Sequence, residues 1–341
     1  MHMQPQSLSS TESAYQSSTT RATLWAGFFT NGVWDMLSVV VPLYGGAVGL
    51  STAEIGFVVA ARSVLPTALS IHGGILMDYW GTRRVILWLA IACVLLPPLY
   101  PVSGWFTVLV MLQLILGLAS SLAMGAAQTW SLQSSHDTVT LARFSIVSRI
   151  GTFLGPVMIG AVWDLLGPWA AFVSISLWAA GIVVAAATAP ERADRVETPS
   201  ASKPRAVTVF VPQWAAHKQA LALAAIPAVA FVLAVSFLRN APGAIQASLY
   251  VVYLGDIGLS GTLIGALVGI SEFFGVAGSL IAPAMERRMR PHRLVIICIA
   301  ASVAAIAITP LLGGLFSLLV LAAAARGLAQ GLSQPLVYSL L

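Results

Sequence analysis

Gly74-Ile75-Leu76-Met77-Asp78-Tyr79-Trp80-Gly81-Thr82-Arg83-Arg84 is a short polar interruption between two long apolar runs, residues 52–73 and 85–103, and its reading decides the fold. Each run is long enough to cross a hydrocarbon layer as a helix, for which about 20 apolar residues suffice. Between them stand two glycines, one carboxylate and two arginines, so the connection is a tight turn whose charges stay in water. A backbone inside lipid must satisfy its own hydrogen bonds, so the two runs are antiparallel helices of one membrane bundle.

The rest of the chain repeats this pattern. Of 341 residues, 58% are hydrophobic and 9% charged, and the mean hydropathy is +0.89; a soluble globular chain carries about 25% charged residues. That excludes a soluble fold. Apolar runs fall at 24–45, 52–73, 85–103, 105–130, 143–166, 169–189, 225–254, 261–283, 294–313 and 315–339, which gives an all-α membrane protein of ten spans. The net charge of +5 would point to nucleic acid in a soluble protein, but here the basic residues are loop residues and no nucleic-acid partner is expected. Cys93 and Cys298 lie inside apolar runs, so neither a disulfide framework nor a thiolate metal site is supported. The first twenty residues are rich in Ser and Thr and have no apolar core, which predicts a disordered cytoplasmic tail over 1–23 rather than a cleaved leader.

Orientation follows from the distribution of charge. With the N-terminus in the cytoplasm, Arg21, Arg83, Arg84, Arg143, Arg192, Arg195, Lys203, Arg205, Lys218, Arg287, Arg288, Arg290 and Arg293 fall on the cytoplasmic side, 13 of the 17 basic residues. The other four lie within spans, so the positive-inside rule places the N-terminus inside a cell's inner membrane. Residues 190–224 form the longest polar connection and read as a cytoplasmic linker between a six-helix bundle, 24–189, and a four-helix bundle, 225–341. Near its end, Phe210, Val211 and Trp214 suggest a short amphipathic piece on the membrane surface. A repeat supports the division: GLSTAEIG at 49–56 is answered by GLSGTLIG at 258–265, each opening a span.

The 74–84 loop resembles the loop signature of the major facilitator superfamily (a glycine, three residues, an aspartate, then a glycine and a basic cluster). Gly74, Asp78, Gly81, Arg83 and Arg84 match it, while Tyr79 and Thr82 replace usual basic residues. The resemblance implies a two-bundle fold of twelve helices, so the chain, ending at Leu341, is expected to lack the last two. It also implies a gating loop, with the Asp78 carboxylate at a neighbouring helix N-terminus where dipole and free amides favour it. A basic anchoring loop with a turn glycine would account for the same residues. In span 5, Gly151, Gly155, Pro156 and Gly160 resemble part of the signature of the superfamily's drug–proton antiporters, with Ala142 and Ile159 where that pattern has further glycines. Small residues four apart are equally explained by helix packing.

Charges inside spans carry the chemistry, because each costs roughly 2.5–3.5 kcal/mol at a helix centre unless it faces protein or water. Asp35, Arg62, Arg149, Arg239, Glu272 and Arg326 sit on spans 1, 2, 5, 7, 8 and 10, which the resemblance places around a central cavity. Asn31, Asp35 and Ser38 share one face of span 1, and Arg326, Gln330 and Gln334 form an i, i+4, i+8 stripe on span 10. Gln113 marks a polar side of span 4, where the family often has an arginine. These residues predict a substrate and proton pathway. For Asp35 and Glu272 two readings stand open: reversible protonation coupled to transport, or static ion pairs such as Asp35 with Arg62 and Glu272 with Arg239.

No phosphate loop, metal-ligand spacing or nucleophile–base pair occurs, so ATP drive, a metal or other cofactor, and enzymatic catalysis are not expected. The sequence therefore predicts a monomeric secondary transporter working by alternating access on a small organic molecule in the lipid bilayer, with proton-coupled export as the leading form. Symport of an organic anion is the alternative, favoured by four intramembrane arginines against two acids. A truncated, non-transporting interaction protein is the second alternative.

Overall fold

A computed structural model describes residues 10–134, 137–190, 218 and 222–339, and among these every regular element is a helix. α1 is Ser10–Ala47, α2 Thr52–Trp80, α3 Thr82–Leu95 and α4 Phe106–Ser134. The helix Thr138–Thr188 is 51 residues long, about twice a membrane crossing, and divides at Gly167, where φ is 81° and ψ −176°. α5 (138–166) and α6 (168–188) are thus antiparallel passes. Only glycine takes that backbone region without strain, and Pro168 behind it opens α6, where its missing N–H costs nothing. α7 comprises Pro227–Ile245, a π turn Gln246–Tyr250 and Val251–Asp256. α8 is Gly261–Glu286, α9 Pro291–Ala307 with a 3₁₀ turn Thr309–Leu312, and α10 Phe316–Ser339. A helix stands at each of the ten expected spans, α9 being a shorter apolar helix.

Two expectations about the ends and the middle need comment. The tail expected to be disordered over 1–23 is helical from Ser10 onward and continues α1; Thr19 and Thr23 fold their hydroxyls back onto the carbonyls of Tyr15 and Thr20, so both find partners within the helix. Most of the linker 190–224, with Phe210, Val211 and Trp214, lies outside the described residues.

The first bundle is built around α1, which packs along α5, and around α4, which packs on α2 and α3. Trp130, Tyr100, Phe172 and Met36 are fully enclosed there. Trp178 of α6 stacks on Phe28 at 4.9 Å and donates its Nε1–H to the Phe29 carbonyl at 3.0 Å. In the second bundle α8 and α10 cross so closely that Gly327 lies on the backbone of Ser271 and Gly331 on that of Gly275. Outward positions are large and apolar, with Trp88, Phe237 and Leu280 at 68%, 75% and 76% exposure. Such a surface suits a lipid solvent, which leaves small-residue seams rather than hydrophobic burial to hold helices together.

The bundles meet along α5 and α8. The start of α1, α3, α5, α7 and α9 and the end of α2, α4, α6 and α8 share one end, which carries Arg21, Arg83, Arg84, Arg143, Arg287, Arg288, Arg290 and Arg293 and is called the basic end below. At the opposite end the π turn and last segment of α7 pack on α1 and α2, and α5 packs on α8. Toward the basic end the first part of α7 packs on α9 and α10 instead, so the halves part there. At that end Asp137 caps α5, accepting from the amides of Thr140 at 3.0 Å and Val139 at 3.3 Å. Those bonds, chiefly from Thr140, hold its carboxyl below the usual carboxylate range.

Candidate functional site

Three connected spaces lie between the bundles. The first, about 600 Å³, is bounded by Asp35, Ser38, Arg62, Gln246, Ser248, Glu272 and Gln330 among others. The second, about 150 Å³, is bounded by Arg149, Arg239, Asn240, Glu272, Gln330 and Gln334. The third, about 480 Å³, reaches toward the basic end past Asn31, Gln128, Ser145, Arg149, Thr152, Glu272 and Gln334. Glu272 borders all three.

The side chains are set by their helices. On α1 the Asn31 amide is anchored to the Gly27 carbonyl at 2.8 Å, and the Ser38 hydroxyl to the Asp35 carbonyl at 2.6 Å. Arg62 is 7% exposed, and its guanidinium lies 3.9 Å from the centre of the Trp34 ring, a contact that stabilises a cation where water is scarce. Gly117 of α4 sits against the backbone of Arg62, leaving no room for a side chain. Arg149 of α5 donates to Gln334 Oε1 of α10 at 2.9 Å, a bridge between the two halves where the second and third spaces join.

The charges interact across the division. Asp35 and Arg62 of one half and Glu272 of the other all border the largest of the three spaces. Glu272 shares the second and third spaces with Arg149 of α5. Arg239, the partner expected for Glu272, borders the second space with it and reaches Asn240 Oδ1 at 3.3 Å.

Other expected site residues fall elsewhere. Arg326 is 1% exposed and does not border the cavity; it donates Nε–H to Ser271 Oγ at 3.4 Å and lies 4.7 Å from the centre of the Tyr250 ring. The stripe on α10 thus splits, with Gln330 and Gln334 on the cavity and Arg326 behind it. Gln113 is 1% exposed, borders none of the three spaces, and neither of its amide atoms has a hydrogen-bond partner. In the 74–84 loop, Gly74 has open space where a Cβ would stand, so it is no close-approach glycine. Gly81, with φ at 87°, closes α2 through its N–H to the Met77 carbonyl at 2.9 Å. Arg83 caps the carbonyl end of α6, reaching Ala186 O at 2.7 Å and Ala187 O at 3.1 Å. Asp78 and Arg84 are exposed. On α5, Gly151 lies on the Phe28 backbone and Gly155 on Gly32 of α1, while Gly160 lies on Gly261 and the Pro156 carbonyl on Gly265 of α8. α5 is therefore packed on its own half along one stretch and on the other half along the next.

Sequence reasoning passed over several residues that matter here. Trp34 has no polar signature, and Gln246 and Ser248 reach the cavity through the π turn of α7, which shifts the helical register. Asp164, near the end of α5, accepts from the α8 amides of Gly261 and Thr262, each at 2.7 Å, and from the Thr262 hydroxyl at 2.6 Å. This is a carboxylate at a neighbouring helix N-terminus, and it lies at the opposite end of the molecule from the 74–84 loop.

Two helical bundles enclosing a polar cavity within an apolar exterior define a multi-pass membrane protein built as a solute carrier is built. The chain belongs to the Major Facilitator Superfamily, whose family model matches residues 23–341. A curated relative, the "Putative tartrate transporter" of Agrobacterium vitis, is 29% identical over 180 residues, a match spanning 50% of this chain and 40% of that protein. Among solved structures, the nucleoside transporter NupG superposes with a TM-score of 0.72 at 14% identity, covering 93% of this chain and 80% of its own. A D-xylose-proton symporter superposes with a TM-score of 0.59 at 14% identity, covering 94% and 80%. At such identities the structural likeness concerns the fold.

Proposed function

We propose that this protein is a secondary transporter that carries a small organic acid, together with a proton, through the space between its halves by alternating access. The observation that carries this reading is the position of Glu272, which borders all three spaces, sharing the first with Asp35 and the other two with Arg149. An anion entering that space is attracted by Arg62 and Arg149 and repelled by two carboxylates. A proton on either carboxylate removes part of that repulsion, so proton and anion favour each other's binding. Mutual favour of this kind produces symport; antiport needs the two to compete. The relative is named for tartrate, a dicarboxylate, and an anion of that kind beside Arg62 and Arg149 favours symport over the export expected from the sequence.

With the basic end in the cytoplasm, as the positive-inside rule requires, the halves part on the cytoplasmic side of the inner membrane. The test is accumulation of labelled tartrate in vesicles containing the full protein under an imposed proton gradient. Symport predicts accumulation on the side toward which protons flow. It also predicts that Glu272→Gln loses gradient-driven accumulation while still exchanging solute for solute. Movement of solute against the proton flow, or unaltered accumulation by Glu272→Gln, would overturn the reading.

A further inference from the structure

The two halves open their second helices differently. α2 begins with its own capping box: the Glu54 amide donates to Ser51 Oγ at 3.3 Å, and Glu54 Oε2 accepts from the Ser51 amide at 2.8 Å. The repeat aligns GLSTAEIG with GLSGTLIG, so Ser51 corresponds to Ser260, Thr52 to Gly261 and Glu54 to Leu263. α8 therefore has no acid of its own with which to close such a box. Of its first amides, that of Leu263 reaches Ser260 Oγ at 3.4 Å and that of Ile264 the Ser260 carbonyl at 3.0 Å. The amides of Gly261 and Thr262 are satisfied by Asp164, from the other half of the molecule. The glycine allows this approach, since a Cβ at position 261 would lie 2.9 Å from Asp164 Oδ1.

We infer that Asp164 is a positioning residue of the transport cycle, an inter-half latch that holds the non-basic end closed by serving as the borrowed N-cap of α8. Its three hydrogen bonds at 2.6–2.7 Å are charge-assisted and directed at a helix dipole. They join α5 to α8 at the end where the halves meet, so opening that end breaks all three together. Gly160 against Gly261 and the Pro156 carbonyl against Gly265 bring the two helices close enough for the carboxylate to reach. This inference rests on the alternating-access reading.

The experiment places a single reporter, Ser63→Cys, in the largest space and labels it with a membrane-impermeant maleimide from each face of oriented vesicles. In the parent, labelling is expected from the basic face and slow from the other. Asp164→Asn keeps one acceptor but turns a donor toward donors, and labelling from the non-basic face is expected to rise about tenfold or more, as a shifted two-state balance does. Thr262→Val, which removes one of the three bonds, gives a smaller rise and serves if Asp164→Asn is not inserted and monodisperse. Unaltered labelling in a folded variant would overturn the latch and leave transport standing. Equal labelling of the parent reporter from both faces would instead overturn alternating access itself.

Discussion

Gln113 and Arg62 both lie buried in the first bundle and would be treated alike by a hydropathy scale, yet their surroundings differ. The amide of Gln113 has no hydrogen-bond partner, and a buried amide without one costs about 1–3 kcal/mol. Gln113→Leu, of similar volume, is expected to raise thermal stability or leave it unaltered and to spare transport; a fall of several degrees in Tm would show that Gln113 has a partner in another state of the cycle. Arg62 lies over Trp34 and faces Asp35 across the largest space. Arg62→Lys keeps the charge and loses the planar stacking, so an increase of about tenfold in KM for the anion, with little effect on maximal rate, is expected.

At the scale of the element, the glycines of the helices are not equivalent. Gly331 lies on the backbone of Gly275 and Gly74 faces open space. Gly331→Ala is expected to force α8 and α10 apart and lower stability by about 1–3 kcal/mol, whereas Gly74→Ala is expected to be neutral or slightly stabilising through helix propensity. Both are read from thermal unfolding in detergent. The Asp137 cap of α5 gives a pH test. Its folded-state carboxyl is depressed, so its stabilisation is whole above the unfolded value of about 3.9 and is lost as pH falls through the lower folded value. Asp137→Ala should therefore be less stable than the parent at neutral pH and converge with it in acid. Periodicity and length made the elements legible: the ten spans and the break between α5 and α6 follow from apolar runs and from Gly167 and Pro168. Register within an element was less legible. Arg326, Gln330 and Gln334 share a helical face, but the close crossing at Gly327 and Ser271 buries the turn carrying Arg326 and leaves the glutamines on the cavity.

At the scale of the whole molecule, the site is made by juxtaposition, which one chain's sequence does not display. Intramembrane charge singled out Asp35, Arg62, Arg149 and Glu272 because burying a charge is costly, and the fold gathers these four around connected spaces. The pairing of Asp35 with Glu272 across the halves had no signal in spacing. Asp164 lay at a span end, where a carboxylate is unremarked until its partners, 97 and 98 residues further on, come beside it. The α2–α3 loop carried the strongest motif, and in it Gly81 makes the turn and Arg83 caps α6.

The borrowed cap also bears on how the protein is made. During synthesis α5 enters the membrane well before α8, and the amides of Gly261 and Thr262 are completed by a carboxylate already waiting there. The first turn of α8, which lies within the repeat, thus has two of its amides completed by the first bundle. A chain cut in the 190–224 connection and expressed as two pieces would regain its native state by pairing in the bilayer, with the seam along α5 and α8 as the recognition surface.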